Sequence, residues 1–562
     1  MNNALKQRLQ ELDSIYDSVV CMPKQPCQSP GYHTKIADGT PIHSTVRALD
    51  YALLLLKSGD AAAATRAADV IRAVLVLQEC DPCQAPYGIW PWFYEEPLPK
   101  MSPPDYNWAD FCGARIAEML INHAAALPAE LVTAMRAALL RAGMAIFRRN
   151  VGPGYTNIAV MGGGVCAIAG EILQEPFLLD YGCRRLEHFI AYTREQGGFN
   201  EYNSPTYTIV VVDEAERILR LAKTDVVRAL ARGIHDIAWE AIATHFHPAT
   251  GQWAGPHSRA YSDTIKPETA WRIAAATGVA VGAVTPAEAA AQLVEMPLPC
   301  PEKYRGYFQD EDRHDCVVQQ YCRREPVSRS TTGTTWFNGD VCLGSVNHDS
   351  MWVQRRPVVA YWKNGSATAV LRLRFLHDGK DFASAFVRTA QAEGRLLSGV
   401  TMLTDQGDYH CHLDRPANGV FSASDFRLRY ELQADGAAVE ELHDERFILK
   451  AGPWMAGVHC HAGRFDGQDV VWEAGCENGR AYVDAVCYHG PQREFNFRQL
   501  GDTWLFVAME LLHAGEFPSD LGFDAHPEEA SAVAWSAWQN YGLNVAVSRQ
   551  PLPLGQAINT GI

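Results

Sequence analysis

No stretch of 18 or more apolar residues runs uninterrupted through these 562 residues. The apolar run Tyr51–Leu56 is short and flanked by Asp50 and Lys57, so no membrane span is expected. The first residues, Met1-Asn2-Asn3-Ala4-Leu5-Lys6-Gln7-Arg8, carry charge where a secretory signal needs an apolar core, which makes a cytoplasmic location the expectation. Positive charge is scarce: 49 Lys and Arg stand against 65 Asp and Glu, a formal net charge of −16. That balance argues against nucleic acid as a partner. Cysteine order is missing as well. The 15 cysteines are odd in number and scattered, unlike a disulfide framework. Cys80 and Cys83 form one C-x-x-C with no second pair at zinc-site spacing, and the pairs His245/His247 and His459/His461 read as structural. Neither a metal nor a cofactor is expected. The chain shows no fixed-period repeat and no low-complexity tract.

The composition, 47% hydrophobic and 20% charged, is that of a globular protein, and the chain is too long for one core. Its two halves differ in period. Val46, Leu49, Leu53 and Leu56 form one helical stripe, and Leu131, Met135, Leu139, Ala142 and Ile146 form another. Residues 60–77, 109–126, 158–173 and 225–246 repeat the pattern, and roughly ten helices are expected before residue 300. The segment 296–301, Met-Pro-Leu-Pro-Cys-Pro, then marks a boundary. Beyond it, residues 315–322, 341–346, 358–362, 368–375, 399–403, 426–432 and 470–474 read as strands. Turn pairs such as Asn364-Gly365, Asp378-Gly379 and Asp435-Gly436 separate several of them. No helical stripe returns until about Glu528. The expected architecture is α+β multidomain: an N-terminal (α/α) toroid over 1–295, a linker over 296–304, and a C-terminal antiparallel β-sandwich over 305–562.

The unusual chemistry lies in four loops, where a rigid scaffold commonly holds functional groups. The first carries Trp90, Trp92, Phe93, Tyr94, Tyr106 and Trp108, with Asn107 among them. Flat aromatic faces stack on sugar rings, although such loops also simply pack. In the second, Asn157 precedes an apolar, glycine-rich helix, either as its N-cap or as an amide aimed at a substrate carboxylate. The run Gly162-Gly163-Gly164 lacks the Lys-Ser or Lys-Thr of a phosphate loop and reads as close helix packing. The third loop holds Glu201, Tyr202, Asn203, Thr206 and Tyr207. Pro205 suits the first turn of the next helix, with Asn203 or Ser204 capping it. Tyr207 would then sit at the positive helix end, which favours a phenolate. In the fourth, His257, Arg259 and Tyr261 alternate and share one face if the segment is extended. In the second half, Asn347, His348, Trp352, Gln354 and Arg355 form a polar-aromatic cluster able to close over a cleft.

Asn157, Tyr207, His257, Arg259 and Tyr261 together suit β-elimination at a uronate. That reaction removes the proton beside the carboxylate and expels the sugar oxygen one carbon further on. Amide and guanidinium donors offset the carboxylate charge. A neutral imidazole or a tyrosinate takes the proton, and a tyrosine protonates the leaving oxygen. Arg259 and a helix end are the groups that would lower a phenol from its ordinary value near 10. The division of acid from base among Tyr207, His257 and Tyr261 stays open.

With these motifs the chain resembles the polysaccharide lyases that join an (α/α) toroid to a C-terminal antiparallel β domain, the group of heparinase II/III-like enzymes, alginate lyases and glucuronan lyases. The resemblance implies that Tyr207, in the stretch Glu201-Tyr-Asn-Ser-Pro-Thr-Tyr207, is the catalytic tyrosine, that Asn157 is the neutralising amide, and that His257 and Arg259 are their partners. Trp90, Trp92, Asn107, Trp108, Glu201, Asn203, His348 and Arg355 are expected to bind substrate, an acidic poly- or oligosaccharide. Self-association into a homo-oligomer fits a chain of this kind. Three rivals stand beside this reading. An inverting glycoside hydrolase needs two carboxyl groups about 6.5–9.5 Å apart, which Glu95, Glu96, Asp105, Asp110 and Glu201 could supply. A uronyl C5-epimerase shares the proton abstraction. A non-catalytic carbohydrate-binding protein would use the aromatic loops and the β-sandwich.

Overall fold

The first half forms helices where the apolar stripes run, and its caps follow the sequence. Ser44 accepts from Arg47 N–H and opens the helix Thr45–Lys57; Asp60 accepts from Ala63 N–H and opens Ala61–Leu75. The computed structural model describes residues 2–29, 32–443, 445–538 and 540–560, with the side chain of His461 outside that description. Among the described residues, eleven α-helices precede residue 300. They pack as consecutive hairpins: Thr45–Lys57 with Ala61–Leu75, Trp108–Asn122 with Ala129–Arg149, Thr156–Leu173 with Pro176–Gln196, and Tyr207–Leu221 with Asp225–His245. The first members of these hairpins also touch one another in an inner row. The helix Pro286–Gln292 meets Asn3–Asp13, which meets Thr45–Lys57, so the row bends into a toroid.

Among the described residues one helix, Thr156–Leu173, is long and apolar enough by length and composition to cross a membrane. The most apolar segment is therefore this helix and not Tyr51–Leu56. It lies inside the toroid, 83% buried. Its triple glycine admits the neighbours: a Cβ on Gly163 would lie 2.8 Å from Leu186 Cδ2, and one on Gly164 would lie 2.6 Å from Ile218 Cδ1.

Past residue 313 the chain becomes antiparallel β structure. Among the described residues, a nine-stranded sheet, including Val358–Asn364, Ala367–His377 and Val420–Gln433, faces an eight-stranded sheet that includes Trp454–Phe465 and Trp504–His513. Trp362, Phe375 and Phe426 from one sheet meet Val458, Leu505 and Val507 from the other. Full burial of each such side chain contributes about 1.5–3 kcal/mol. The hairpin at Asp378-Gly379 has positive φ at both residues, 46° and 80°, as a two-residue turn of matching twist requires.

A third, three-stranded sheet departs from the simple sandwich. Gly522–Pro527, Ser531–Trp538 and Tyr541–Ser548 lay Ala534 and Val545 on Leu397 and Phe506, on the outer side of the eight-stranded sheet. No helix starts near Glu528. Ala532, Ala534, Ser536 and Trp538 are buried with a period of two, which is a strand's period.

The halves are joined through the loops singled out above. Tyr202 stacks on Tyr321 at 4.8 Å between centroids and donates to Asp349 Oδ2 at 2.7 Å. Arg313 donates to the carbonyls of Phe246 (3.2 Å) and Thr244 (3.0 Å). Gly344 approaches Gly255 so closely that a Cβ would collide with the Gly255 carbonyl. Segments 197–207 and 245–263 are thereby pinned to the β half, and a cleft opens at the junction.

Candidate active site

The cleft has a volume of about 860 Å³. Trp92, Asn107, Trp108, Asn157, Glu201, Tyr207, Arg259 and Tyr261 line its helical side. Trp352, Arg355 and residues 410–413 line the β side, and Tyr32 and His33 edge it. The placement of Tyr207 is local in origin. Ser204 Oγ accepts from Tyr207 N–H at 3.0 Å, and Tyr207 is the first residue of its helix. Pro205 precedes that helix by two residues and does not lie in its first turn.

Arg259 organises the floor. Its Nη2 donates to Tyr207 OH at 2.9 Å and to Tyr261 OH at 3.4 Å, and the two phenol oxygens lie 2.8 Å apart. Its Nη1 donates to Glu201 Oε1 at 2.8 Å and its Nε to Gln354 Oε1 at 2.6 Å. The guanidinium also lies over the Tyr207 ring, 4.4 Å from the centroid. One cation thus fixes two phenols, a carboxylate and a β-side amide.

Burial pushes the Tyr207 phenol well above its ordinary value, and the pull of Arg259 does not reverse it. This departs from the phenolate expected at a positive helix end: desolvation outweighs the partial charge. Burial likewise raises the Glu201 carboxyl, against the pull of Arg259 and of the N–H groups of Asn157 and Thr156. Asn157 lies inside the helix that starts at Thr156, so it is not the N-cap. Its side chain is buried, borders the cleft, and leaves Oδ1 without a hydrogen bond. A buried polar atom left so costs about 1–3 kcal/mol.

Residues 5–292, just over half of the chain, match the family model described as "Domain of unknown function (DUF8769)". The chain belongs to that family. It is also similar to the solved structure of a heparinase III, at 10% identity over 90% of this chain and 82% of that one, with a TM-score of 0.42. A chondroitin AC lyase of Streptomyces coelicolor A3, solved in complex with chondroitin sulphate, is similar at 10% identity over 97% of this chain and 87% of that one, with a TM-score of 0.44. Likenesses this distant carry no argument about chemistry. No curated relative matches the sequence.

Four residues expected at the site of this DUF8769 chain lie outside the cleft. His257 is 2% exposed, forms a β-bridge with Arg356, and sets Nδ1 2.7 Å from Asn203 O; burial takes its imidazole down to about 3. The alternation argument fails there because the segment turns into the domain junction before Arg259. Asn203 donates to Ala254 O (2.7 Å) and Pro256 O (2.9 Å), so its amide holds the junction. Trp90 is fully buried and donates to Val74 O at 3.1 Å, a core residue of the toroid. His348 is buried in a strand, with Nε2 3.2 Å from Arg329 O, and burial lowers it to about 4. Of the β-side cluster, Trp352 and Arg355 reach the cleft, Gln354 reaches Arg259, and Asn347 instead donates to Ser330 O.

The carboxylates divide similarly. Glu95 pairs with His43 and Glu96 accepts from Lys35 N–H, both away from the cleft. Asp110 is buried beneath it, and burial raises it to about 7. Asp105 and Glu201 line the cleft. Asp105 accepts from Asn107 N–H at 3.0 Å and from Trp92 Nε1 at 3.1 Å.

The sequence reading missed Tyr32, His33, Arg149, Tyr155, His410 and His412, which also border the cleft. Arg149 Nη1 donates to Asn107 Oδ1 at 2.5 Å, and Asn107 Nδ2 to Tyr155 OH at 3.1 Å. The signal for the β-side pair was present: His410-Cys411-His412 alternates, and Asp414 then gathers the N–H groups of Asp408, Tyr409 and His410 into one tight loop. Among the described residues, no group of three or more His, Cys, Asp or Glu is placed to hold a metal ion.

Proposed function

We propose that this chain is a polysaccharide lyase that cleaves uronic-acid-containing poly- or oligosaccharides by β-elimination. The observation that carries the reading is the unit of Tyr207 and Tyr261 hydrogen-bonded to each other and to Arg259, sharing a cleft with Asn157. A uronate seated with its carboxylate accepting from Asn157 Nδ2 has its charge offset there, which brings the enolate-like transition state within reach. Tyr207, kept protonated by burial, gives its proton to the leaving oxygen as the carbon–oxygen bond breaks. Arg259 stabilises the phenolate this creates. Tyr261 is half-exposed and within hydrogen-bond distance, so it can pass a proton back from solvent. Trp92 and Trp108 supply flat faces for neighbouring sugar rings.

A hydrolase would need one carboxylic acid and one free carboxylate across the bond. Among the described residues two carboxylates line the cleft: Glu201 is tied to Arg259 through Oε1 with its Oε2 buried, and Asp105 accepts a hydrogen bond at each oxygen. The deciding experiment incubates the protein with glucuronan, alginate, hyaluronan, chondroitin and heparan and follows the ultraviolet absorbance of the unsaturated uronide. A rise on one substrate supports elimination. New reducing ends without absorbance would replace it with hydrolysis, and solvent deuterium at C5 without cleavage would replace it with epimerisation.

A further inference from the structure

We infer that His33 is the base that takes the proton beside the carboxylate, while His410 and His412 face the same cleft as hydrogen-bond donors. This deepens the lyase reading above and rests on it. Among the described residues, these three are the imidazoles that line the cleft. Their Nδ1 partners set them apart. A carbonyl oxygen can only accept, so His33 Nδ1, 2.6 Å from Pro103 O, carries that ring's proton. The lone pair of a neutral His33 is then on Nε2. A peptide N–H can only donate, and His410 Nδ1 receives two, from His412 at 2.9 Å and Leu413 at 3.1 Å. Arg415 Nη2 donates to His412 Nδ1 at 2.5 Å. Both of these rings therefore hold their proton on Nε2 and have no lone pair left to receive another. Burial also keeps His410 neutral, down to about 4.

His33 borders the cleft on a segment that is held in place. Its backbone pairs both ways with Ser102, N–H to O at 3.0 Å in each direction, and its ring lies 5.1 Å from the Trp92 ring. The Pro103 carbonyl orients the imidazole as a third group orients the base in nucleophile–base pairs. The preceding residue ties this segment to the catalytic floor: Gln354, which accepts from Arg259, donates to Tyr32 OH at 3.4 Å. Tyr207 is a phenol and His257 is walled off; Glu201 pairs with Arg259 through Oε1 while its unpartnered Oε2 is buried, and Asp105 accepts at both oxygens.

The step balances. The C5 proton passes to His33 Nε2, and the C5–H electron pair forms the C4–C5 double bond. The C4–O bond breaks, and the departing oxygen takes the Tyr207 proton. The imidazolium then releases its proton to solvent. His410 and His412 Nε2–H join the Asn157 amide as donors to the substrate's oxygens.

Two measurements test this. Long-range ¹H–¹⁵N correlation on histidine-labelled protein needs no substrate. It should show the Nδ1–H tautomer for His33 and the Nε2–H tautomer for His410 and His412; an Nε2–H His33 overturns the assignment. On the polysaccharide that the wild type cleaves, His33→Ala should lose about 10²–10⁴-fold in kcat, recovered in part by added imidazole, with KM little changed. Near-wild-type turnover in that variant overturns the role of His33 and leaves the lyase reading standing. A wild type that yields no unsaturated product on any substrate of the panel overturns both.

Discussion

Replacing Tyr207 with Phe separates chemistry from folding at this site. The variant keeps the ring, and with it the guanidinium of Arg259 at 4.4 Å from the centroid. It loses the hydroxyl and two hydrogen bonds, to Tyr261 at 2.8 Å and from Arg259 at 2.9 Å. Arg259 still donates to Glu201 and Gln354, so no buried charge is stranded. A net hydrogen bond is worth about 0.5–1.5 kcal/mol, which bounds the stability loss at a few kcal/mol. Loss of a general acid costs about 10²–10⁴-fold in rate, or about 2.7–5.4 kcal/mol at 1.36 kcal/mol per decade. The assay is kcat and KM from ultraviolet absorbance on the cleaved substrate, with a thermal melt of the same sample. The expectation is a rate loss of that size, an almost unchanged KM and a melt that is still cooperative. Turnover close to wild type would refute Tyr207 as the acid. A rate loss matched by collapse of the melt would reduce it to a structural residue.

Two further predictions concern the scaffold. Asp263 Oδ1 accepts from Arg356 Nε at 2.9 Å and Arg372 Nη1 at 2.6 Å, two buried guanidiniums, and clamps the segment that carries Arg259 and Tyr261. Asp263→Asn should destabilise by about 3–5 kcal/mol in a urea titration and lower kcat, because it leaves buried cations short of charge; an unchanged midpoint would refute the clamp. His245, His247, His257 and His348 are buried, and burial lowers them to about 4, 4, 3 and 4. Below the ordinary histidine value of about 6.5 the unfolded chain binds protons that the folded chain does not. Stability is therefore full above that pH and falls toward about pH 4, by about 1.36 kcal/mol per unit for each ring. Urea midpoints measured downward from neutral pH should fall steeply; flat midpoints would mean that these rings are protonated in the folded chain.

Periodicity and caps determine the elements. The stripe of Val46, Leu49, Leu53 and Leu56 lies on the helix Thr45–Lys57, Ser44 and Asp60 start the helices that follow them, and Asp378-Gly379 makes the turn its residues favour. These signals are local, so the α+β layout and the change from helix to strand near residue 300 are legible in the chain. The cluster of Tyr207, Arg259 and Tyr261 is legible only in part: Tyr207 sits at a helix start, but the stretch that carries Arg259 and Tyr261 bends, and its meeting with Tyr207 is a tertiary contact. Tertiary packing decides the rest. Trp90, Asn203, His257 and His348 have the residue types of a sugar site, but distant segments enclose them, and enclosure cannot be read from spacing. It also sets the sign at Tyr207, where desolvation overrides the helix end. His33 and His410 are far apart in sequence and border one cleft only because the toroid and the β half dock there. Which ring nitrogen holds the proton is then settled by a carbonyl or an N–H that only the folded backbone brings within reach.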